Sequence, residues 1–242
     1  MSTRKKVAVV TASLLAGFLT GGAALYVALF RAPAFYTAAL HADVEPEMRK
    51  TQAKRFVQTT LQLVDGIRHE SHWKEEFTEE QVNSWIAEEL HDKYAEWLPH
   101  GVSHPRVQFE SDSLSIAFQV QRTLWSGVVS VRLKPWVAEP NQLAVEVQSV
   151  RAGLIPIPLD DILAEISAEL EGIGWRLHWK QLRGNDVLVV NLSRESGDQP
   201  VLESVHVSSK VLTISGSRKA LAEFLRPQAD AALQLAKLAG QR

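Results

Sequence analysis

The spacing of apolar positions changes character several times along the chain, and each change predicts a different element. Residues Val7 to Phe30, VAVVTASLLAGFLTGGAALYVALF, carry no charge and no proline. As a helix rising about 1.5 Å per residue this run reaches roughly 36 Å, enough to cross a bilayer core of about 30 Å with some tilt. Residues 31–46 are small and turn-prone and read as a connection. From Glu47 the period becomes helical, with Val57, Leu61, Val64 and Ile67 predicted to form one buried face. A second helix is announced by a capping box, Thr78-Glu79-Glu80-Gln81, with Phe77 and Val82 placed as a hydrophobic staple. Its stripe of Val82, Trp85, Ile86, Leu90, Tyr94 and Trp97 runs until Pro99.

After Pro105 the period falls to two. Val107 and Phe109, then Leu114, Ile116, Phe118 and Val120, then Val129, Val131 and Leu133, and finally Leu143, Val145 and Val147 alternate with polar residues. Ser111-Asp112-Ser113, Ser126-Gly127 and Glu139-Pro140-Asn141 separate them, so an antiparallel meander is expected. Gly153-Leu154-Ile155-Pro156-Ile157-Pro158 reads as an extended lead, outside any paired sheet interior, into a helix that buries Ile162, Leu163, Ile166, Leu170 and Ile173. Strands resume at Trp175–Trp179, Val187–Asn191, Val205–Val207 and Val211–Ser215, and a helical tail follows, interrupted by Pro227. The fold class expected is α+β: an N-terminal transmembrane helix, then one domain of curved antiparallel sheet packed on amphipathic helices. The divisions are 1–6, cytoplasmic; 7–30, transmembrane; 31–46, connector; 47–217, the α+β domain; and 218–242, the tail.

This order of elements, with the capped Gln81-Val82-Asn83-Ser84-Trp85, the Gly-Leu-Ile-Pro-Ile-Pro segment and Thr213-Ile214-Ser215-Gly216 near the end, resembles the YpmS-like family of membrane-anchored envelope proteins. More loosely it is similar to tubular lipid-binding domains. The resemblance spans most of residues 70–217 and implies a curved sheet wrapped around helices, with a groove that accommodates lipid. It supplies no catalytic residues.

Charge sets the direction of the first segment. Arg4, Lys5 and Lys6 precede it and only Arg31 follows closely, so the N-terminus is expected in the cytoplasm and residues 31–242 outside it. The run is longer than the apolar core of a secretory signal, which favours a retained anchor over a cleaved one; a core helix of a soluble protein is the third reading. Removing residues 1–31 takes away four of the 26 basic residues and none of the 28 acidic ones, leaving a formal charge of −6. That balance argues against a nucleic-acid partner and against electrostatic docking on anionic surfaces. The absence of cysteine decides nothing about the compartment.

Candidate chemistry is sparse. His69 with His72 and His100 with His104 have the number of ligands a zinc site needs, but neither pair has a supporting carboxylate pattern, and isolated surface histidines are the reading taken. Arg49, Lys50, Lys54 and Arg55 read as a solvated helix face. Asp160 and Asp161 are explained as helix-start acids. No nucleophile elbow, phosphate loop or dinucleotide fingerprint occurs, so no enzyme, cofactor or metal is expected. Of seven tryptophans, Trp85, Trp125, Trp175 and Trp179 are the candidates for an apolar ligand site, with Trp125 in a turn as the one to touch a membrane. The expectation is a membrane-anchored, non-catalytic binding protein for a lipid or other apolar ligand. The alternative is a structural or assembly protein of an envelope complex with a fully packed core.

Overall fold

Local signals place the elements, and long-range pairing joins them. The computed structural model describes residues 20–42, 44–90, 93–95, 98–123, 125–157, 176–182, 184–192 and 200–218. Helix α1 (Thr20–Phe30) is followed across Pro33 by α2 (Ala34–Leu40) at a bend of 49°. Among the described residues no single helix is long and apolar enough to cross a membrane; α1 and α2 meet that test only together. Residues 7–19, the first half of the expected span, lie outside the described residues, as do the expected helix after Pro158, Trp97, Trp175 and the tail. The stretch expected as a connection holds α2, whose Tyr36 is only 2% exposed.

Helix α3 (Pro46–His69) starts with proline at its first position and has Glu47 in its first turn and Arg68 and His69 in its last, each suited to the helix dipole. Its expected inward face is corrected. Val57, Leu61 and Val64 are exposed, Leu61 to 62%, and the face turned to the domain is Ala53, Phe56, Thr60 and Gly66. The reason is aromatic. Phe56 stacks on Phe77 at 5.7 Å and on Trp85 at 5.1 Å, which recovers more contact area than the aliphatic stripe one residue further round. Buried Gly66 leaves room for Trp73, which a side chain there would crowd at 3.1 Å.

Strand β1 (His72–Thr78) leads into α4 (Glu79–Trp85), and the capping box forms as expected. The amide of Gln81 donates to Thr78 Oγ1 at 3.2 Å, and that of Thr78 to Gln81 Oε1 at 3.0 Å. The regular helix stops earlier than its stripe suggested, widening into one π-helical turn over Ile86–Leu90. The stripe still converges: Ile86 and Leu90 are buried with Val107, Phe109 and Val207, and Val82, Trp85 and Tyr94 pack on them.

The meander is β2 (Val102–Phe109), β3 (Leu114–Gln121), β4 (Ser126–Glu139) and β5 (Gln142–Ala152), continued by β8 (Asn185–Asn191) and β7 (Arg176–Leu182) in the order β2-β3-β4-β5-β8-β7, with every ladder antiparallel. Strand β4 passes straight through Pro135, further than its sequence promised. It overhangs β3, whose pairing ends at Leu114 opposite Leu133, so Pro135 has a partner on one side only, Val145 of β5. The Gly153–Pro158 segment is also corrected in part. Gly153 and Leu154 make a tight turn, and β6 (Ile155–Pro156) pairs back on β5 as a two-residue edge strand.

A second sheet joins distant parts of the chain in the order β1-β10-β9, with β9 at Val201–Ser208 and β10 at Val211–Ser217. At its bulge Trp73 lies over Gly216, where a methyl group would overlap both the indole and the Val201 carbonyl oxygen. Polar clamps tie the elements together. Asn83 in α4 donates to Val107 O at 2.8 Å and accepts from Val107 N at 2.9 Å, and Glu79 accepts from Phe109 N at 2.7 Å. These side chains occupy the free edge of β2, which would otherwise invite pairing with another chain. Replacing Asn83 by alanine orphans both backbone groups of Val107. Urea denaturation should register a loss of about 2 kcal/mol, and the variant should self-associate more readily on size-exclusion chromatography.

Candidate functional site

Helix α2 lies beside the polar face of the large sheet, and two cavities flank it. That face alternates with the apolar one, so register decides which residues share it. On it, Arg106, Ala117, Ser130 and Arg151 stand opposite one another across four strands, and Ser115, Arg132 and Ser149 form the next row.

The larger cavity, about 780 Å³, is a groove between α2, α3, α4 and β2. One wall is the alanine side of α2 (Ala38, Ala39), and the other carries Arg49, Gln52, Arg106 and Gln108. Arg49 is ion-paired with Glu88. Arg106 is half-buried and donates to the Pro105 carbonyl at 2.7 Å. Burial lowers its proton affinity, an effect that neighbouring Tyr36 opposes and Arg49 reinforces. The Tyr36 hydroxyl is buried with no hydrogen-bond partner among the described residues. The groove is thus amphipathic, with one small-residue apolar wall and one cationic, amide-rich wall.

The smaller cavity, about 240 Å³, opens where α1 meets the sheet. Its floor is Ser115, Ser130, Arg132, Ser149 and Arg151, and Pro33, Phe35, Gly153 and Leu154 form its rim. Arg132 is bridged to Glu110 at 2.9 Å. The last turn of α1 is joined to this rim, because the Leu154 amide donates to the Ala28 carbonyl at 2.8 Å. Gly153 sits at φ +59° with no room for a side chain; a methyl group there would overlap the Ala28 and Leu29 carbonyl oxygens.

Of the tryptophans chosen from sequence, Trp175 lies outside the described residues, and Trp85, Trp125 and Trp179 do not line either cavity. Trp85 is stacked between Phe56 and Tyr94 in the cluster under α4. Trp125 and Trp179 are brought together on a second cluster built from Val120, Val129, Val147 and Val150. Trp125, expected to be exposed, is half-buried. Its ring folds over Gly127, where any side chain would overlap it, and its indole N–H is buried without an acceptor among the described residues. His69 bonds Asp65 at 2.9 Å and His72 lies beside Ser71. Among the described residues no three His, Asp or Glu side chains gather as metal ligands.

Sequence reasoning missed Tyr36, Arg106 and the Ser/Arg checkerboard. The alternation of Ser115, Ser130, Arg132, Ser149 and Arg151 with apolar neighbours was legible, but it reads as an ordinary wet face until α1 and α2 are placed against it. Comparison with family models, with curated proteins and with solved structures finds no match for this chain.

Proposed function

We propose that the chain is a single-pass, membrane-anchored extracytoplasmic protein that binds a lipid without chemical conversion, using the grooves that flank α2. The observation that carries this reading is the seat of α1. Leu25, Tyr26 and Val27 are each about three-fifths exposed, an apolar surface that a bilayer would cover, while the final turn of the same helix is bonded to Leu154 beside the small groove. A span over Val7–Phe30 would then deliver both grooves to the membrane surface. The curved-sheet expectation fits as well. The sheet's apolar face supports this, since Val102 of β2 and Trp179 of β7 border one apolar cluster that runs across β3, β4 and β5. Lipid is favoured over a purely apolar ligand because both cavities pair apolar walls with arginines.

Native mass spectrometry of the full chain, released from membranes in a neutral detergent, is the direct test. Retained phospholipid or fatty acid is the expected result. A lipid-free chain that also fails to bind a fluorescent fatty acid overturns the lipid reading. The assembly alternative has its own support in the outward stripe of α3, Val57, Leu61 and Val64, all of which are exposed. A phosphatase fused after residue 242 tests orientation, and an inactive fusion would rule out the extracytoplasmic placement.

A further inference from the structure

We propose that the small groove at the foot of α1 is a phosphate-binding site, and that the phosphate it holds is the head group of an anionic phospholipid in the surrounding bilayer. This deepens the membrane-anchored reading above and rests on it. The floor of the groove is assembled by register. Arg132 stands between Ser115 and Ser149, and Arg151 faces Ser130, all on central strands of one sheet. Directly opposed side chains have Cβ atoms about 5 Å apart, so each arginine has a serine hydroxyl beside it, and Arg132, Ser149, Ser130 and Arg151 border one patch of donors.

Packing does not account for this composition. Serine is a weak strand former, and three of them on central strands fill little space. Ser115 is only 5% exposed, yet its hydroxyl and those of Ser130 and Ser149 make no hydrogen bond to any described residue. Each is a donor looking into the groove without an acceptor. Charge points the same way. Arg132 and Arg151 are diagonal neighbours, which repel one another across the sheet. Glu110 neutralises Arg132 from outside the groove, whereas Arg151 has no ion-pair partner among the described residues and no acid lines the cavity. An anion between the two arginines would relieve the repulsion and accept from the serines, and the planar guanidinium forks suit phosphate oxygens.

Position selects the source of the phosphate. Gly153 and Leu154 rim the groove and hold the end of α1, whose last residue, Phe30, is 43% exposed. Leu154 is 46% exposed beside it. These apolar side chains belong at the depth where acyl chains begin, which puts Arg151 at the depth of head groups. A lipid seated there would lay its chains along α1.

The test uses the full chain in nanodiscs of equal parts phosphatidylcholine and phosphatidylglycerol, released into neutral detergent and weighed by native mass spectrometry. The expected result is preferential retention of phosphatidylglycerol, reduced about tenfold in both Arg151→Glu and Ser130→Val with the unfolding temperature unchanged. Ser130→Val fills the groove without altering charge, so a loss seen only with Arg151→Glu would indicate diffuse electrostatics and overturn the site. Inorganic phosphate is titrated in parallel. Stabilisation that depends on Arg151, without any lipid preference, overturns the lipid source in favour of a soluble phosphate ester. Lipid retention unaffected by either variant overturns this site and leaves lipid binding intact. Complete absence of lipid counts against the parent reading instead.

Discussion

An Asn141→Ala chain is expected to lose about 4 kcal/mol of stability. Asn141 sits in the β4–β5 turn at φ +60°, is 9% exposed, and ties the second sheet to the first through both its side chain and its backbone. Its Oδ1 accepts from Leu202 N at 2.7 Å, and its Nδ2 donates to Pro200 O at 3.2 Å. Its own amide donates to Leu202 O at 3.2 Å, and its carbonyl accepts from Leu192 N at 2.8 Å. Alanine removes both side-chain bonds, and an orphaned buried backbone group costs about 1–3 kcal/mol. Alanine also tolerates the left-handed conformation less well than asparagine, by about 1 kcal/mol. Against a total of about 5–15 kcal/mol for a domain, the urea midpoint should fall by a large fraction. Asn141→Gly separates the two causes, since glycine accepts the backbone angle but makes no side-chain bonds. It should recover only about a quarter of the loss. Full recovery with glycine would mean that backbone strain, and not the clamp between sheets, is what Asn141 supplies.

The second large effect concerns the seat of α1. Gly153→Ala should detach the helix end from the domain while leaving the sheets folded. The added methyl group meets two backbone carbonyls of α1, which cannot move aside as a flexible side chain would, and the positive φ adds about 1–2 kcal/mol of strain. Arg31, exposed immediately after the helix, makes a convenient reporter. In nanodiscs, tryptic cleavage after Arg31 should accelerate about tenfold or more, because the bond from Leu154 to Ala28 no longer closes that segment. Unchanged cleavage would show that the contact contributes nothing to holding the domain at its helix. If the head-group site is also correct, the same variant should retain less phosphatidylglycerol, since Gly153 and Leu154 form its rim.

Asn141 was visible in the sequence as a turn-former and Gly153 as the start of an extended lead, and neither role was visible. Pro140-Asn141 marks a turn because proline presets one backbone angle and asparagine tolerates the left-handed one. That its amide would reach Leu202, some sixty positions later, depends on where a second sheet comes to rest. Gly153 reads locally as part of an extended lead, while its need for empty space comes from a helix more than a hundred residues earlier. The candidate site was read less well than the fold. Tryptophans drew attention by size, but Trp85 fills the core through stacking on Phe56 and Tyr94, and Trp125 covers Gly127. The groove residues are arginine and serine, which look like any solvated strand face when no second surface is known.

What the sequence determined by itself is whatever residues a few positions apart can decide. The capping box of α4, the period-two strands of the meander, the turns between them and the apolar run before Arg31 all rest on such neighbours, through hydrogen bonds to adjacent amides and alternation along a strand. The tertiary structure decided which surfaces meet. It turned α3 so that Phe56 rather than Leu61 faces inward, paired β1 with β10 across the length of the chain, let Pro135 pass through β4 where only β5 lies alongside, and set α1 and α2 against a row of serines and arginines. Those choices depend on competition between distant surfaces for burial, which no local pattern records.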